Sequence, residues 1–362
     1  MRPGQGDIFR RVCSAPFPAA VATALLLFGS ACGPRPRPDA APPAATVVRS
    51  TFVSVGSPAP SVHASTLAAD GDAVVIAWFA GPYESHPEVA IWLTRCRAGT
   101  CETPRIVASG AAPDGRRYPT WNPVLFRTRD GALQLYYKVG PNPREWWGMR
   151  MRSTDGGRRW SAPERLPDGI LGPIKDKPVP LASGRWVSPS STEAPDSANA
   201  WRVHFELSDD DGRTWRRTTP RRGPVPDVDA IQPTILRHAD GRLQALARTR
   251  GPGRIAVSWS EDDGESWSPL GLTDLPNPNS GLDAVTLRDG RHLLIYNHAS
   301  EGRTPLNLAI SRDGVRWTPL LTLESEPGEY SYPAIIEGTD GTIHATWTWK
   351  RQRIRHMEIR LR

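Results

Sequence analysis

The strings STDGGRRW (Ser153–Trp160), SDDDGRTW (Ser208–Trp215) and SEDDGESW (Ser260–Trp267) share the pattern S-x-D-x-G-x-x-W, and SRDGVRW (Ser311–Trp317) repeats it with one residue deleted. Their first residues lie 55, 52 and 51 positions apart. Four recurrences at such a period define a repeat architecture, in which each unit buries its apolar face against the next. The residue types explain the motif. Ser and Asp bond back to turn backbone, Gly takes a positive φ, and Trp packs on the sheet. The motif therefore holds a hairpin, and no catalysis is assigned to it.

This pattern resembles the Asp-box of the sialidase superfamily, and the chain as a whole is similar to its BNR-repeat proteins. The resemblance implies a sialidase-like β-propeller over Val47 to Leu361. The rest of the chain agrees. Each motif closes a passage of strand, tight turn, apolar strand and hairpin. The turns are Asp70-Gly71, Asp130-Gly131, Ser183-Gly184, Asp240-Gly241, Asp289-Gly290 and Asp340-Gly341. Six turns predict six blades, so the fold expected is all-β, a six-bladed β-propeller. The first blade lacks the motif and carries LTRCRAGTCETP (Leu93–Pro104) in its place. The sixth has only three strands after Tyr330, so Val47 to Val55 is expected to supply its outer strand and close the ring, leaving few sheet edges free.

Composition supports short strands and turns over long helices: of 362 residues, 32 are Gly, 37 Pro and 14 Trp, and 38% are apolar. At the N-terminus, Arg10 and Arg11 precede an apolar run from Ala19 to Phe28, which reads as a signal peptide over residues 1–31. Gly29, Ser30 and Ala31 ahead of Cys32 resemble the bacterial lipobox, although Gly29 stands where Leu is usual. Lipidation of Cys32 at the cell envelope is the expectation, with ordinary cleavage after Ala31 and a periplasmic or secreted protein as the alternative. Residues 32–45, rich in Pro and Ala, read as a tether, with the propeller over 46–362.

Cys96 and Cys101 are the thiols left in the mature domain, and a short disulfide across a hairpin tip is expected in an oxidising compartment. A metal pair is the alternative, but no His or Cys cluster completes it. The chain has 45 basic and 38 acidic side chains, and loss of the signal removes three and one of these. That mild excess suits anionic ligands and gives no basic run interleaved with aromatics, so nucleic acid is not an expected partner. No cofactor or metal is expected, and the chain reads as a monomer.

On a propeller axis the ligand meets the openings of the inner strands. Here these are SVHAST, YPTWNPV, IKDKPV, IQPTIL, SGLDAV and YSYPAI. They place His63, Asn122, Lys175, Asp176, Lys177, Gln232, Asp283 and Tyr330 at what look like equivalent positions. Buried polar groups are costly unless a ligand or water satisfies them, which marks a binding site or a water-filled channel. The resemblance to sialidases makes roles specific. Gln232 falls on a family Glu, Arg248 and Arg303 on two Arg of the carboxylate-binding triad, and Tyr330 on the nucleophilic Tyr. Two guanidiniums suit a planar carboxylate, and a neutral phenol suits an anomeric centre already carrying one.

Departures from the family pattern are equally specific. The first triad Arg is missing at Val62 and His63, and the amide of Gln232 cannot take a proton from a phenol. Glu193 is the expected substitute base and Glu88 the expected acid, with His86 competing. Asn122, Lys138, Trp146, Trp147, Asn279, Asp283, His298 and Arg351 read as sugar contacts. The function implied is an exo-acting glycoside hydrolase of the sialidase type on a terminal acidic sugar. A uronate polysaccharide lyase using Tyr330 with His63 or His298, and a glycan-binding propeller without turnover, are the alternatives.

Overall fold

The computed structural model describes residues 44–112, 115–194, 200–223 and 228–362. The expected signal peptide, Cys32 and most of the tether lie outside them. The described residues form no helix and build six antiparallel sheets, five of four strands and one of five, in the order of a closed six-bladed propeller. The sixth blade pairs Tyr330–Glu337, Ile343–Trp349 and Arg353–Leu361, and its outer strand comes from Ala45–Phe52, with Ala45 opposite Leu361. This closing strand starts and stops earlier than the sequence reading placed it. Val53 is already 2% exposed and packs among Val62, Ile76 and Ile354 in the seam of the first blade.

Strand alternation explains where the core lies. In the second blade Leu133, Leu135, Tyr137 and Val139 face the first blade, while Tyr136 faces Leu166 toward the third. The apolar mass is thus distributed in the seams between blades, and each fully buried aliphatic side chain there contributes about 1.5–3 kcal/mol. The axis itself is left to polar groups.

The Asp-boxes behave as turn clamps. In the first, Gly157 N–H donates to Ser153 Oγ at 2.8 Å, Arg159 N–H to Asp155 Oδ1 at 2.8 Å, and Trp160 Nε1–H to the Gly157 carbonyl at 3.1 Å. The same set recurs around Asp210, Asp262 and Asp313. Gly157, Gly212, Gly264 and Gly314 sit at φ between 68° and 83°. In the first blade, which has no box, Cys96 and Cys101 face each other across the hairpin and are disulfide-bonded. The boxes lie on the same end of the ring as the Asp-Gly turns, and the inner strands begin at the other end.

Four inner strands open on a bulge. Pairing slips between His63 and Thr66, Trp121 and Val124, Ile231 and Thr234, and Ser331 and Ala334. At each slip one residue takes a left-handed conformation: Ala64 at φ 54°, Asn122 at 37°, Gln232 at 56° and Tyr332 at 49°. Three of the four precede a proline. In two of these strands the residue two places further along stitches to the next blade: Thr66 Oγ1 accepts the amide of Leu125 at 3.0 Å and Thr234 Oγ1 that of Ala284 at 3.1 Å. In the fifth blade, whose inner strand has no such slip, Asp283 Oδ2 accepts that of Ile335 at 2.8 Å.

Candidate functional site

The bulges decide which side chains reach the axis, because a left-handed residue in a strand interrupts the alternation of faces. Tyr332, and not Tyr330, is turned to the centre. Its hydroxyl oxygen accepts hydrogen bonds from Gln232 Nε2 at 2.9 Å and from Arg248 Nη1 at 3.2 Å, and its ring lies 4.3 Å from that of His63. Tyr330 packs instead between the fifth and sixth blades with Leu306, Leu323 and Trp347. Burial, Glu324 and Glu326 raise its phenol above the ordinary value. The expectation for Tyr330 is corrected accordingly: without a bulge at its own position it follows strand alternation into the apolar seam.

Arg248 is the centre of the site. It is 8% exposed, donates through Nε to Asn279 Oδ1 at 2.7 Å and through Nη1 to Gln232 Oε1 at 3.2 Å, and lies 5.0 Å from the Trp201 ring centre. Asn279 thereby aims the guanidinium, as a positioning residue, and Trp201 offers it a π face. Glu193, at the end of the strand Trp186–Glu193, is paired opposite Trp201. Burial raises its carboxyl above the usual range, opposed by Arg248, Arg144 and a hydrogen bond from the Trp201 side chain. Trp201 was not singled out in the sequence. Its only signal was its place at the start of a strand that follows Glu193.

A second cluster stands beside it. Glu329 Oε1 accepts from Arg303 Nη1 at 2.8 Å, Arg351 Nε at 2.8 Å and Ser331 Oγ at 3.0 Å. Burial pushes Glu329 up, but Arg351 and Arg303 outweigh it and hold the carboxyl below its ordinary value. Arg351 Nη1 also pairs with Glu84, from the 82–89 loop of the first blade. That loop carries the expected acid too. Glu88 is exposed, with its amide bonded to His86 Nδ1 at 3.1 Å. Neither Glu84 nor Glu329 was recognised from the sequence, since only folding brings them to Arg351.

His63 is buried, with Nδ1 at 3.0 Å from Thr348 Oγ1 and no partner for Nε2 among the described residues. Burial, then Arg351, Arg303, Arg248 and Lys175, drive its pKa well below the ordinary value, so the imidazole is neutral. Of the three Arg acting on His63, Arg351 acts most strongly. Asn122 occupies the bulge of the second blade and is 5% exposed.

Other expected contacts are spent on structure. Lys177 Nζ donates to Asp283 Oδ1 at 2.9 Å and Oδ2 at 2.8 Å, and Asp283 further accepts from Thr234 Oγ1 and the amides of Ala284 and Ile335. The expectation that Lys177 and Asp283 bind substrate is corrected: this pair joins four blades and has its capacity filled. Lys175 Nζ is held by Asp176 Oδ1 and the carbonyls of Leu282 and Pro333 at 2.7–2.8 Å. Burial, reinforced by Asp283, raises Asp176 well above a normal carboxyl despite Lys175 and Lys177. Lys138 points into the seam with the third blade, where Nζ donates to the Pro173 carbonyl at 2.6 Å and burial lowers its pKa to about 7 against the pull of Glu206. His298 is exposed and hydrogen-bonded to Tyr296. Trp147 packs on Tyr118 at 5.4 Å and Trp146 on Trp121 at 6.0 Å.

A six-bladed ring with guanidiniums converging beside an axial tyrosine is the sialidase-like class of propeller. Residues 72–345 match the BNR repeat-like domain, and the chain belongs to that family. No curated protein matches it by sequence. Among solved structures it is similar to a protein of unknown function from Dyadobacter fermentans, at TM-score 0.73 and 17% identity over 88% of this chain and 99% of that one. It is also similar to the Hadza microbial sialidase Hz136, at TM-score 0.69 and 17% identity over 82% and 65%. The NanB sialidase of Streptococcus pneumoniae gives TM-score 0.65 and 14% identity over 85% and 68%. Thus the chain spans about two thirds of the length of either sialidase, and at these identities the likeness concerns the fold.

Proposed function

We propose that the axial pocket binds the carboxylate of a terminal acidic sugar and hydrolyses its glycosidic bond, in the manner of an exo-acting sialidase. The observation that carries this reading is the Tyr332 hydroxyl, whose oxygen faces both Gln232 Nε2 and Arg248 Nη1. Two donors on one phenolic oxygen occupy its lone pairs and meet the negative charge that grows there as the proton leaves. In this reading Tyr332 takes the role first expected of Tyr330. Its oxygen bonds to the anomeric carbon, Glu193 accepts the phenolic proton, and the aglycone leaves with a proton from the 82–89 loop, which carries Glu84 and Glu88. Water then hydrolyses the glycosyl-tyrosine. Arg248, Arg303 and Arg351 hold the sugar carboxylate.

The amide at Gln232 favours a second reading, glycan binding without turnover, because among the described residues no carboxylate is hydrogen-bonded to the phenol. Incubating the protein with sialosides and with uronate polysaccharides separates the readings. Release of free sialic acid that is lost in Tyr332→Phe and kept in Tyr330→Phe supports the hydrolase. Absorbance from an unsaturated product instead makes the protein a lyase. Saturable binding of sialosides with neither signal makes it a binder.

A further inference from the structure

On the ring face opposite the pocket, His344, His356 and Glu358 project together from neighbouring strands of the sixth blade. His344 lies directly across from Glu358, and Glu358 is two residues from His356, so all three share the face turned to the first blade. Their ligand atoms lie within 4.8 Å of one another, and His344 Nδ1 is 3.1 Å from His356 Nε2. Two imidazole nitrogens bound tetrahedrally at zinc distances stand about 3.3 Å apart, so this pair needs only a small rotation to receive an ion.

We infer that this cluster is a binding site for a divalent transition-metal ion of the zinc type, held by the two imidazoles and the Glu358 carboxylate.

Two independent features point to a ligand here. Thr346, opposite His356 on the same face and 0% exposed, keeps an Oγ1 with no partner among the described residues. A groove of about 230 Å³ between the first and sixth blades reaches the cluster, lined by Asp72, Gly338, Thr339, Asp340, His344 and Glu358. Three protein ligands beside an open groove leave a coordination position for water or an exchangeable group. The nitrogen-rich set selects zinc, nickel or copper over calcium and magnesium, which take oxygen shells. The other close histidine pair, His238 and His292, has no third His, Cys, Asp or Glu ligand within reach among the described residues, and Gln244 and Thr286 partner its ring nitrogens.

One charge opposes the ion. Arg49 Nη1 lies 3.9 Å from Glu358 Oε1, and its guanidinium competes with a metal for that carboxylate. This gives the site a signature that a merely structural histidine pair lacks: removing Arg49 strengthens metal binding.

The test uses untagged protein stripped with EDTA and titrated with Zn²⁺ against a chromophoric chelator, with melting followed in parallel. One Zn²⁺ per chain is expected, together with a rise in melting temperature. His356→Ala and Glu358→Gln should each weaken binding at least tenfold and abolish that rise. Arg49→Gln should tighten it severalfold. Glu358→Gln, at the groove surface, keeps the test valid should His356→Ala fail to fold. Absence of Zn²⁺ uptake by the wild type, uptake unchanged in Glu358→Gln, or Ca²⁺ competing as well as Zn²⁺ would each overturn the site.

Discussion

Replacing Asp283 by Ala should destabilise the propeller and leave ligand affinity nearly untouched, the reverse of what a substrate contact predicts. The carboxylate serves four groups: the Lys177 ammonium, the Thr234 hydroxyl and the amides of Ala284 and Ile335. Their losses differ. Ala284 N–H retains Thr234 Oγ1 at 3.1 Å, and Lys177 Nζ retains the Ala284 carbonyl at 3.1 Å. Asp283 is the acceptor seen for the Ile335 amide, whose loss costs about 1–3 kcal/mol. Breaking a buried ion pair by removing one partner costs about 3–5 kcal/mol, and the 22% exposure of the Lys177 side chain, which lets water reach it, puts this case at the low end. The expected total is about 4–6 kcal/mol. For a chain of this size that is a fall of roughly 5–10 °C in melting temperature, extending the trend for slightly smaller domains. Asp283→Asn should fall between, since an amide can serve either Lys177 and Thr234 or Ile335, but not both with acceptors. Calorimetry on the three proteins decides it. A melting temperature within a degree of wild type for Asp283→Ala would refute the hub, and a tenfold loss of sialoside binding at unchanged stability would return Asp283 to the ligand site.

Arg248→Ala should reduce affinity for a carboxylated sugar at least tenfold, and Arg248→Lys should not restore it, because Lys loses the fork that reaches Asn279, Gln232 and Tyr332 together; equal binding by the Lys variant would show that charge alone matters. If Glu193 takes the phenolic proton, activity should rise with pH through a carboxyl value held above the ordinary range by burial, since the base works only when ionised. Glu193→Gln should then abolish that limb, and an unchanged pH profile would remove Glu193 from the mechanism. Cys32→Ser should move the protein from the membrane to the soluble fraction, and a wild type that is already soluble would end the lipoprotein reading.

What the sequence disclosed and what it hid follow from range. The boxes at Ser153, Ser208, Ser260 and Ser311 and the six turns are local chemistry, written within eight residues, and each appears in the fold as read. Arg248 was legible through the resemblance to the sialidase blade that ends its second strand on an Arg. The exchange of Tyr330 for Tyr332 was hidden by a backbone event. Period-two alternation puts both on one face, and only the left-handed step at Tyr332 separates them. A trace was present in Asn122-Pro123, Gln232-Pro233 and Tyr332-Pro333, which recur at one offset and mark the bulged residue, Tyr332, rather than Tyr330 two places before it. The pairing of Arg351 with Glu329 and Glu84 left no trace, since it joins three separate loops.

The strand that closes the ring also fixes how the molecule can be presented. Ala45 begins it opposite Leu361, and Arg362 N–H donates to the Ala44 carbonyl at 2.9 Å, so the chain joins and leaves the propeller side by side, at the end with the Asp-Gly turns. Tyr332, Arg248 and Arg351, the core of the proposed site, stand at the other end. A propeller grafted to a sensor chip or a bead through Ala44 or Arg362 therefore offers its proposed site to the bulk solution.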